Sequence, residues 1–360
     1  MKIKLPTSKE GVLFFTFAGK LQHMPKIRVA INGFGRIGRM TFRNIQKNNN
    51  IEVIAINDLT DPANLAHLLK YDSVQRAFNG EVEHNGGHIY VNGRKIIVLQ
   101  EPDPARLPWK KLKIDVVIES TGQFVEREQA IKHVEQSGAR KVIISAPAKG
   151  ESDDVKYVVL GVNDDIIDKK DVIISNASCT TNNVAPMIKI LDENWGIDKA
   201  FMTTVHSYTK DQNIVDGPHN DWRRGRAAAY SIVPTTTGAA KAAGKIFPHL
   251  KANLGGAGIR VPVPDGSLTD LTCILKKSTS EEEINAAFKK AAEGCLKGIL
   301  QYTEDPIVSV DILGNPYSAV FDANLTAVLG DKNKLVKVVA WYDNEMGYSS
   351  RLVELIEKFA

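Results

Sequence analysis

An α/β fold in two parts, a parallel-sheet domain followed by an α+β domain with a mostly antiparallel sheet, follows from three features of the 360-residue chain. Between residues 27 and 56 short β-branched runs flank one helical stretch, the alternation that builds a βαβ unit and a parallel sheet. Beyond about residue 195 the runs lengthen and turns separate them, as antiparallel pairing requires. The length exceeds what one small core serves, so two domains are expected.

The first strand covers 27–31 and the second 51–56, with a helix near 36–47 between them. Short apolar runs at 116–119, 141–145, 157–160 and 172–175 read as further buried strands. In the second part strands are expected at 199–206, 259–263, 267–277 and 334–342. Ser280 is a good N-cap and Glu281, Glu282 and Glu283 complement a helix dipole, which predicts a helix over 280–296. A last helix covers 345–359. Residues 207–234, with Asp216-Gly217-Pro218 and Arg223-Arg224-Gly225-Arg226, fit neither period. A loop this long points to function or to contact between subunits. These elements divide the chain into an extension of unknown role over 1–24, a first domain over 25–175 onto which helix 345–360 packs back, and a second domain over 176–344.

A composition of 43% hydrophobic and 24% charged residues excludes a largely disordered or fibrous chain. The net charge of +4 is spread over 46 basic and 42 acidic residues, so neither a dedicated nucleic-acid partner nor a membrane partner is indicated. Cys179, Cys273 and Cys295 form no C-x-x-C pair. A disulfide framework and a metal site are therefore not expected, and a reducing, cytoplasmic location fits. Val12, Leu13, Phe14, Phe15 and Phe17 follow Lys2, Lys4 and Lys9 in the manner of a signal peptide, yet Glu10 interrupts the basic stretch and Lys20, Gln22 and His23 stand where a cleavage site would. An ordered or frayed extension, or an upstream start codon before Met24, is expected instead.

Gly33-Phe34-Gly35-Arg36-Ile37-Gly38 directly follows the first strand and opens a helix. Glycines there permit a tight turn and close backbone approach, and the helix N-terminus attracts a pyrophosphate, so a Rossmann dinucleotide-binding domain is predicted. Asp58 lies 20 residues after Gly38, at the end of the next strand. That is the position of a carboxylate that binds ribose hydroxyls and repels a 2′-phosphate, which favours NAD over NADP.

Cys179 stands between the strand at 172–175 and a helix expected over 183–191, flanked by Ser178, Thr180, Thr181 and Asn182. A thiol at a helix N-terminus has its thiolate stabilised and its pKa lowered. Cys273 and Cys295, among apolar neighbours, read as small buried hydrophobes. His206 ends an apolar strand just before the irregular loop, and is either the base that serves Cys179 or a packed core histidine.

At Ile31-Asn32-Gly33-Phe34-Gly35-Arg36-Ile37-Gly38-Arg39, Ala177-Ser178-Cys179-Thr180-Thr181-Asn182, His206-Ser207-Tyr208-Thr209 and Trp341-Tyr342-Asp343-Asn344-Glu345-Met346-Gly347-Tyr348, the chain resembles the phosphorylating glyceraldehyde-3-phosphate dehydrogenases of glycolysis. The resemblance runs from about Pro25 to the C-terminus. It implies that NAD accepts hydride, that Cys179 forms a thiohemiacetal and then a thioester with glyceraldehyde 3-phosphate, that His206 is acid and base, and that inorganic phosphate releases 1,3-bisphosphoglycerate. It further implies Thr209 and Arg260 at the substrate phosphate, and Ser178, Thr180, Thr237 and Gly238 at the attacking phosphate. For the cofactor it implies Gly33, Gly35, Arg36 and Ile37 at the pyrophosphate, Ser145 on the adenosine or ribose side, and Asn344 at the nicotinamide carboxamide. A homotetramer is implied, with the loop at 207–234 approaching a neighbour's cofactor. Many relatives have arginine in place of Pro102, which implies a missing adenine-side contact, and residues 149–156 lengthen a loop as in bacterial-type members. An erythrose-4-phosphate dehydrogenase, or a non-catalytic nucleotide- or RNA-binding relative, stands as the alternative.

Overall fold

The computed structural model describes residues 25–150, 155–330 and 332–360. The expectations for the extension over 1–24 lie outside these residues, as does the middle, 151–154, of the lengthened loop at 149–156. Nine strands form the first sheet: Ile27–Asn32 (β1), Ile51–Asn57 (β2), Val82–Asn85 (β3), His88–Val91 (β4), Arg94–Leu99 (β5), Val116–Glu119 (β6), Lys141–Ile144 (β7), Lys156–Tyr157 (β8) and Ile173–Ser175 (β9). Their spatial order is β3-β4-β5-β2-β1-β6-β7-β9-β8. All pairs are parallel except β3–β4 and β4–β5. The antiparallel meander at 82–99 is absent from the sequence-based reading, although Asn92-Gly93, both at positive φ, is a strong hairpin-turn signal. The expected strand at 157–160 is cut to the two residues of β8.

The helices are Arg36–Ile45 (α1), Pro62–Lys70 (α2), Trp109–Leu112 (α3), Arg127–Ala130 (α4), Lys132–Glu135 (α5), Cys179–Trp195 (α6), Ala239–Ile246 (α7), Glu281–Glu293 (α8) and Met346–Phe359 (α9). The period-2 rule separates the faces of β1. Val29 and Ile31 join Phe42, Leu352, Ile356 and Phe359 in one core, and Ala30 joins Trp109, Val117, Val142 and Ile144 in another. Helix α9 thus packs with α1 on the first sheet, although its sequence follows the second.

The second sheet contains Ile197–Ser207 (β10), Val233–Thr235 (β11), Leu254–Val261 (β12), Ser267–Leu275 (β13), Leu300–Thr303 (β14), Ala319–Asp322 (β15), Ala327–Leu329 (β16) and Leu335–Tyr342 (β17). Pairing is antiparallel apart from β10–β12 and β14–β15. The α/β fold class with a mostly antiparallel second sheet is therefore as expected. Strand β12 begins five residues before its expected start because Leu254-Gly255-Gly256-Ala257-Gly258 gives no apolar period. A Cβ on Gly256 would stand 2.7 Å from Met202 Cγ and 3.0 Å from Ala240 Cβ, so glycine is needed there, and one on Gly255 would stand 2.8 Å from the Phe201 ring and force it to move. Ser280 and Glu283 form a full capping box on α8. That helix stops at Glu293, so Cys295 lies in the following turn and is exposed, contrary to expectation, whereas Cys273 is buried as expected.

Candidate active site

Two cavities meet at Cys179, His206 and Arg260. A cleft of about 930 Å³ is lined by Gly33, Gly35, Arg36, Ile37, Asp58, Thr209 and Asn344 as well as those three. A smaller cavity of about 190 Å³ is lined by Ser178, Thr180, Thr237 and Gly238 together with the same three. Ser145 is the one expected site residue on neither wall; it directly follows β7, and its N–H donates to the Glu119 carbonyl (2.9 Å).

The cleft opens at the carboxyl ends of β1, β2 and β6, where parallel sheets place ligands. Gly33 is at φ +92°, and a Cβ there would lie 2.6 Å from the Thr121 backbone nitrogen, so only glycine fits the turn. Gly35, the N-cap of α1, has nothing within 4 Å of a Cβ position and borders the cleft. That open cradle at a helix N-terminus suits a pyrophosphate. Asp58 Oδ2 accepts from the Phe34 N–H (2.8 Å), tying the carboxylate to the turn. The Arg36 guanidinium is already taken up by carboxylates of the chain. It is ion-paired with Asp72 and Glu345, with Nε 2.7 Å from Glu345 Oε1, and these partners raise its pKa against the opposing effect of burial. Only its backbone remains for a cofactor phosphate.

Cys179 is the first residue of α6, which starts before the expected 183, at Cys179, because Ser178 caps it, its Oγ accepting from the Thr181 N–H (3.1 Å). Ala177, at φ +52°, makes the sharp bend out of β9, and the Tyr348 hydroxyl donates to its carbonyl (3.1 Å). The Cys179 N–H is among those a helix leaves without an internal partner. The Sγ lies 3.5 Å from His206 Nε2.

Strand register places His206 directly beside Arg260, their α-carbons paired in the parallel β10–β12 ladder. His206 Nδ1 is 2.8 Å from the Ser207 carbonyl and 2.9 Å from Arg260 Nη1. The carbonyl can only accept and the guanidinium can only donate, so both cannot bond the same nitrogen. Arg260 Nη1 also donates to the Ser207 carbonyl at 2.9 Å. Its need is met there, so the proton belongs on Nδ1 and the Nε2 lone pair faces sulfur. Burial, followed by the Arg260 charge, holds the imidazole neutral, with its pKa down to about 3. Burial also pushes the Cys179 thiol up, against the pull of Arg260 and Thr180. The direction is opposite to the lowered thiol pKa expected from the helix N-terminus, because burial, the largest cause, exceeds the pull of Arg260 and Thr180.

Further residues support or line the two cavities. Tyr342 Oη lies between Thr180 Oγ1 (2.8 Å) and Thr204 Oγ1 (2.9 Å), with its ring edge-on to His206. Arg224, from the irregular loop, adds a second guanidinium to the small cavity. Ser120, Thr121 and Pro102 line the large cleft.

Behind the cleft, Gln75 Nε2 donates to both Asp265 Oδ2 (3.1 Å) and Asp343 Oδ2 (2.9 Å). Burial and the facing Asp343 and Glu345 carboxylates push Asp265 up to about 9. A folded pKa above the unfolded value of ~3.9 makes the folded chain keep a proton that the unfolded chain has lost, so stability falls as pH rises from about 4 to about 9. Asp265→Asn removes the titrating carboxyl from this buried cluster. Thermal melts should show the variant more stable at pH 8 by ~1–3 kcal/mol and less pH-dependent. A variant that melts below the native chain at pH 8 contradicts the protonated pair.

Two family models match the chain. One is described as the NAD binding domain of glyceraldehyde 3-phosphate dehydrogenase, over residues 27–127, and the other as the C-terminal domain of the same enzyme, over residues 178–344. Curated relatives named glyceraldehyde-3-phosphate dehydrogenase include those of Geobacillus stearothermophilus, 56% identical over 91% of this chain and 97% of the relative. That of Thermotoga maritima is 57% identical over 92% of this chain and 98% of the relative. That of Clostridium pasteurianum is 54% identical over 92% and 98%.

Proposed function

Since the chain belongs to the glyceraldehyde-3-phosphate dehydrogenase family, we propose that the two cavities serve the two halves of its reaction, with Cys179 at their junction. The chain is an NAD-dependent enzyme that oxidises glyceraldehyde 3-phosphate. The observation that carries the site assignment is the 3.5 Å approach of Cys179 Sγ to His206 Nε2 where the cavities meet.

The reaction follows from that pair. As sulfur bonds to the aldehyde carbon, its proton passes to Nε2 and on to the carbonyl oxygen, giving a thiohemiacetal. The Cys179 N–H is placed to stabilise the developing oxyanion. His206 then accepts the hydroxyl proton while the carbon gives up hydride, for which bound NAD is the two-electron acceptor. A thioester remains on sulfur. Inorganic phosphate attacks its carbonyl carbon, the C–S bond breaks, His206 returns a proton to sulfur, and 1,3-bisphosphoglycerate leaves. Arg260 and Thr209 hold the substrate phosphate, while Ser178, Thr180, Thr237 and Gly238 hold the attacking one; guanidinium, hydroxyl and backbone N–H groups suit such anions. In the cofactor cleft Gly33, Gly35 and Ile37 take the pyrophosphate, Asp58 the ribose hydroxyls and Asn344 the carboxamide. The purified chain should produce NADH from glyceraldehyde 3-phosphate only with inorganic phosphate, and should prefer NAD to NADP. Equal or faster phosphate-independent oxidation of erythrose 4-phosphate would displace this reading.

A homotetramer in the cytoplasm completes it. Trp222 and Tyr230, 88% and 90% exposed, stand with Ile214, Val215 and Ile232 on the irregular loop, and Phe201 and Ile274 on the open face of the second sheet. Apolar surface of this extent supports self-association. Sedimentation should give four times the chain mass; a monomer of full activity contradicts it. No helix among the described residues is long and apolar enough to cross a membrane.

A further inference from the structure

We propose that Ser207 and Ser267 are positioning residues that fix the orientation of the Asn344 amide, and through it the nicotinamide end of the cofactor. The inference rests on the reading above and adds two residues to it. Asn344 follows β17, is 6% exposed and lines the large cleft. Its Oδ1 accepts from Ser207 Oγ (2.9 Å) and from Ser267 Oγ (2.7 Å). The Ser207 N–H in turn donates to Ser267 Oγ (3.1 Å).

The two hydroxyl protons decide the polarity of the cluster. Ser267 Oγ accepts the Ser207 N–H, and its own proton, like that of Ser207, finds its acceptor in the Asn344 oxygen. A turned amide would put NH2 against both hydroxyls and strand their protons in a site where Ser207 and Ser267 are sealed from water. Asn344 Nδ2 is thereby turned away from the serines. It has no partner among the described residues and is not sealed from solvent. A donor held in this way fits the carbonyl oxygen of a carboxamide. An oxygen in its place would repel that acceptor and meet only the carboxamide NH2, reversing the end of the group that is read.

Ser207 joins this device to the thiol pair. Its carbonyl accepts from His206 Nδ1 and Arg260 Nη1 while its hydroxyl sets Asn344. One residue at the end of β10 therefore sets the tautomer of the base and the orientation of the carboxamide donor. A carboxamide held on one side fixes the ring against rotation about its glycosidic bond, so a single face of the ring is offered to the carbon on Cys179.

Calorimetric titration of the cofactor-free chain with NAD and with ADP-ribose, which lacks nicotinamide, separates this role from general structural damage. In Ser267→Ala and in the Ser207→Ala/Ser267→Ala double variant, NAD affinity should fall about five- to tenfold, the loss of one well-aligned neutral hydrogen bond. ADP-ribose affinity should stay unchanged, and Ser267→Thr, which keeps the hydroxyl, should restore NAD affinity. With aldehyde deuterated at C1, the native chain should place deuterium on one face of the reduced ring and the double variant on both, with kcat lower by ~10². Equal losses for NAD and ADP-ribose, or unaltered affinities with single-face transfer, overturn the proposal. A native chain that binds NAD but oxidises no aldehyde sinks the reaction assigned above and leaves the affinity ratios readable.

Discussion

Cys179→Ser is expected to lower kcat for glyceraldehyde 3-phosphate by about 10⁴-fold or more, because no other group at the junction of the cavities can carry the acyl fragment. The substitution changes one atom. The Ser178 cap, the Ala177 bend and the Tyr348 bond to the Ala177 carbonyl do not involve sulfur, so folding should stay within ~1 kcal/mol of the native chain. An alcohol holds its proton more tightly than a thiol, so the His206 imidazole activates a serine far less readily than a cysteine. NAD binding should persist, since neither the glycine turn nor the Asp58 bond to it involves sulfur. Two measurements check this: steady-state NADH formation, and intact mass after incubation with aldehyde and NAD without phosphate. The native chain should gain one acyl group on the peptide holding Cys179 and the variant none. Turnover by the serine variant within tenfold of native would remove Cys179 from the reaction.

The parts of the site that local chemistry dictates were legible in the chain. A glycine turn after β1, an acid at the end of β2 and a cysteine among hydroxyls each announce themselves over a few residues. What long-range register decides was not legible. His206 and Arg260 are 54 positions apart and stand side by side only because β10 pairs with β12 in parallel, a pairing hidden by the glycines that begin β12. The Arg36 guanidinium lies where a phosphate ligand would be sought, yet Asp72 and Glu345, from distant segments, occupy it. The expectation of a lowered thiol pKa rests on the helix N-terminus alone. Folding adds a burial cost that no local pattern shows. The fold class was readable because strand periods report on burial directly, whereas the 82–99 meander was lost among short strands of mixed polarity.

His206→Asn should lower kcat by ~10² to 10⁴, the range of general acid–base assistance. Asparagine is the informative replacement because its amide NH2 can take the place of Nδ1–H against the Ser207 carbonyl, so Arg260 keeps its acceptor there. Only the Nε2 lone pair, 3.5 Å from sulfur, is removed. The thiol, pushed up by burial, then has no neighbour to receive its proton. Alkylation of Cys179 by a neutral haloacetamide separates the base from any role in substrate binding. The native chain should react readily near pH 7, because a neutral imidazole is already the dominant form there. In the variant the rate should fall and then rise about tenfold per pH unit toward the raised thiol pKa, since solvent hydroxide must do what Nε2 did. KM for the aldehyde should change little, because Arg260 and Thr209 are untouched. A variant that loses aldehyde affinity but keeps the native alkylation profile would make His206 a substrate ligand, and the proton route drawn through Nε2 would have to be abandoned.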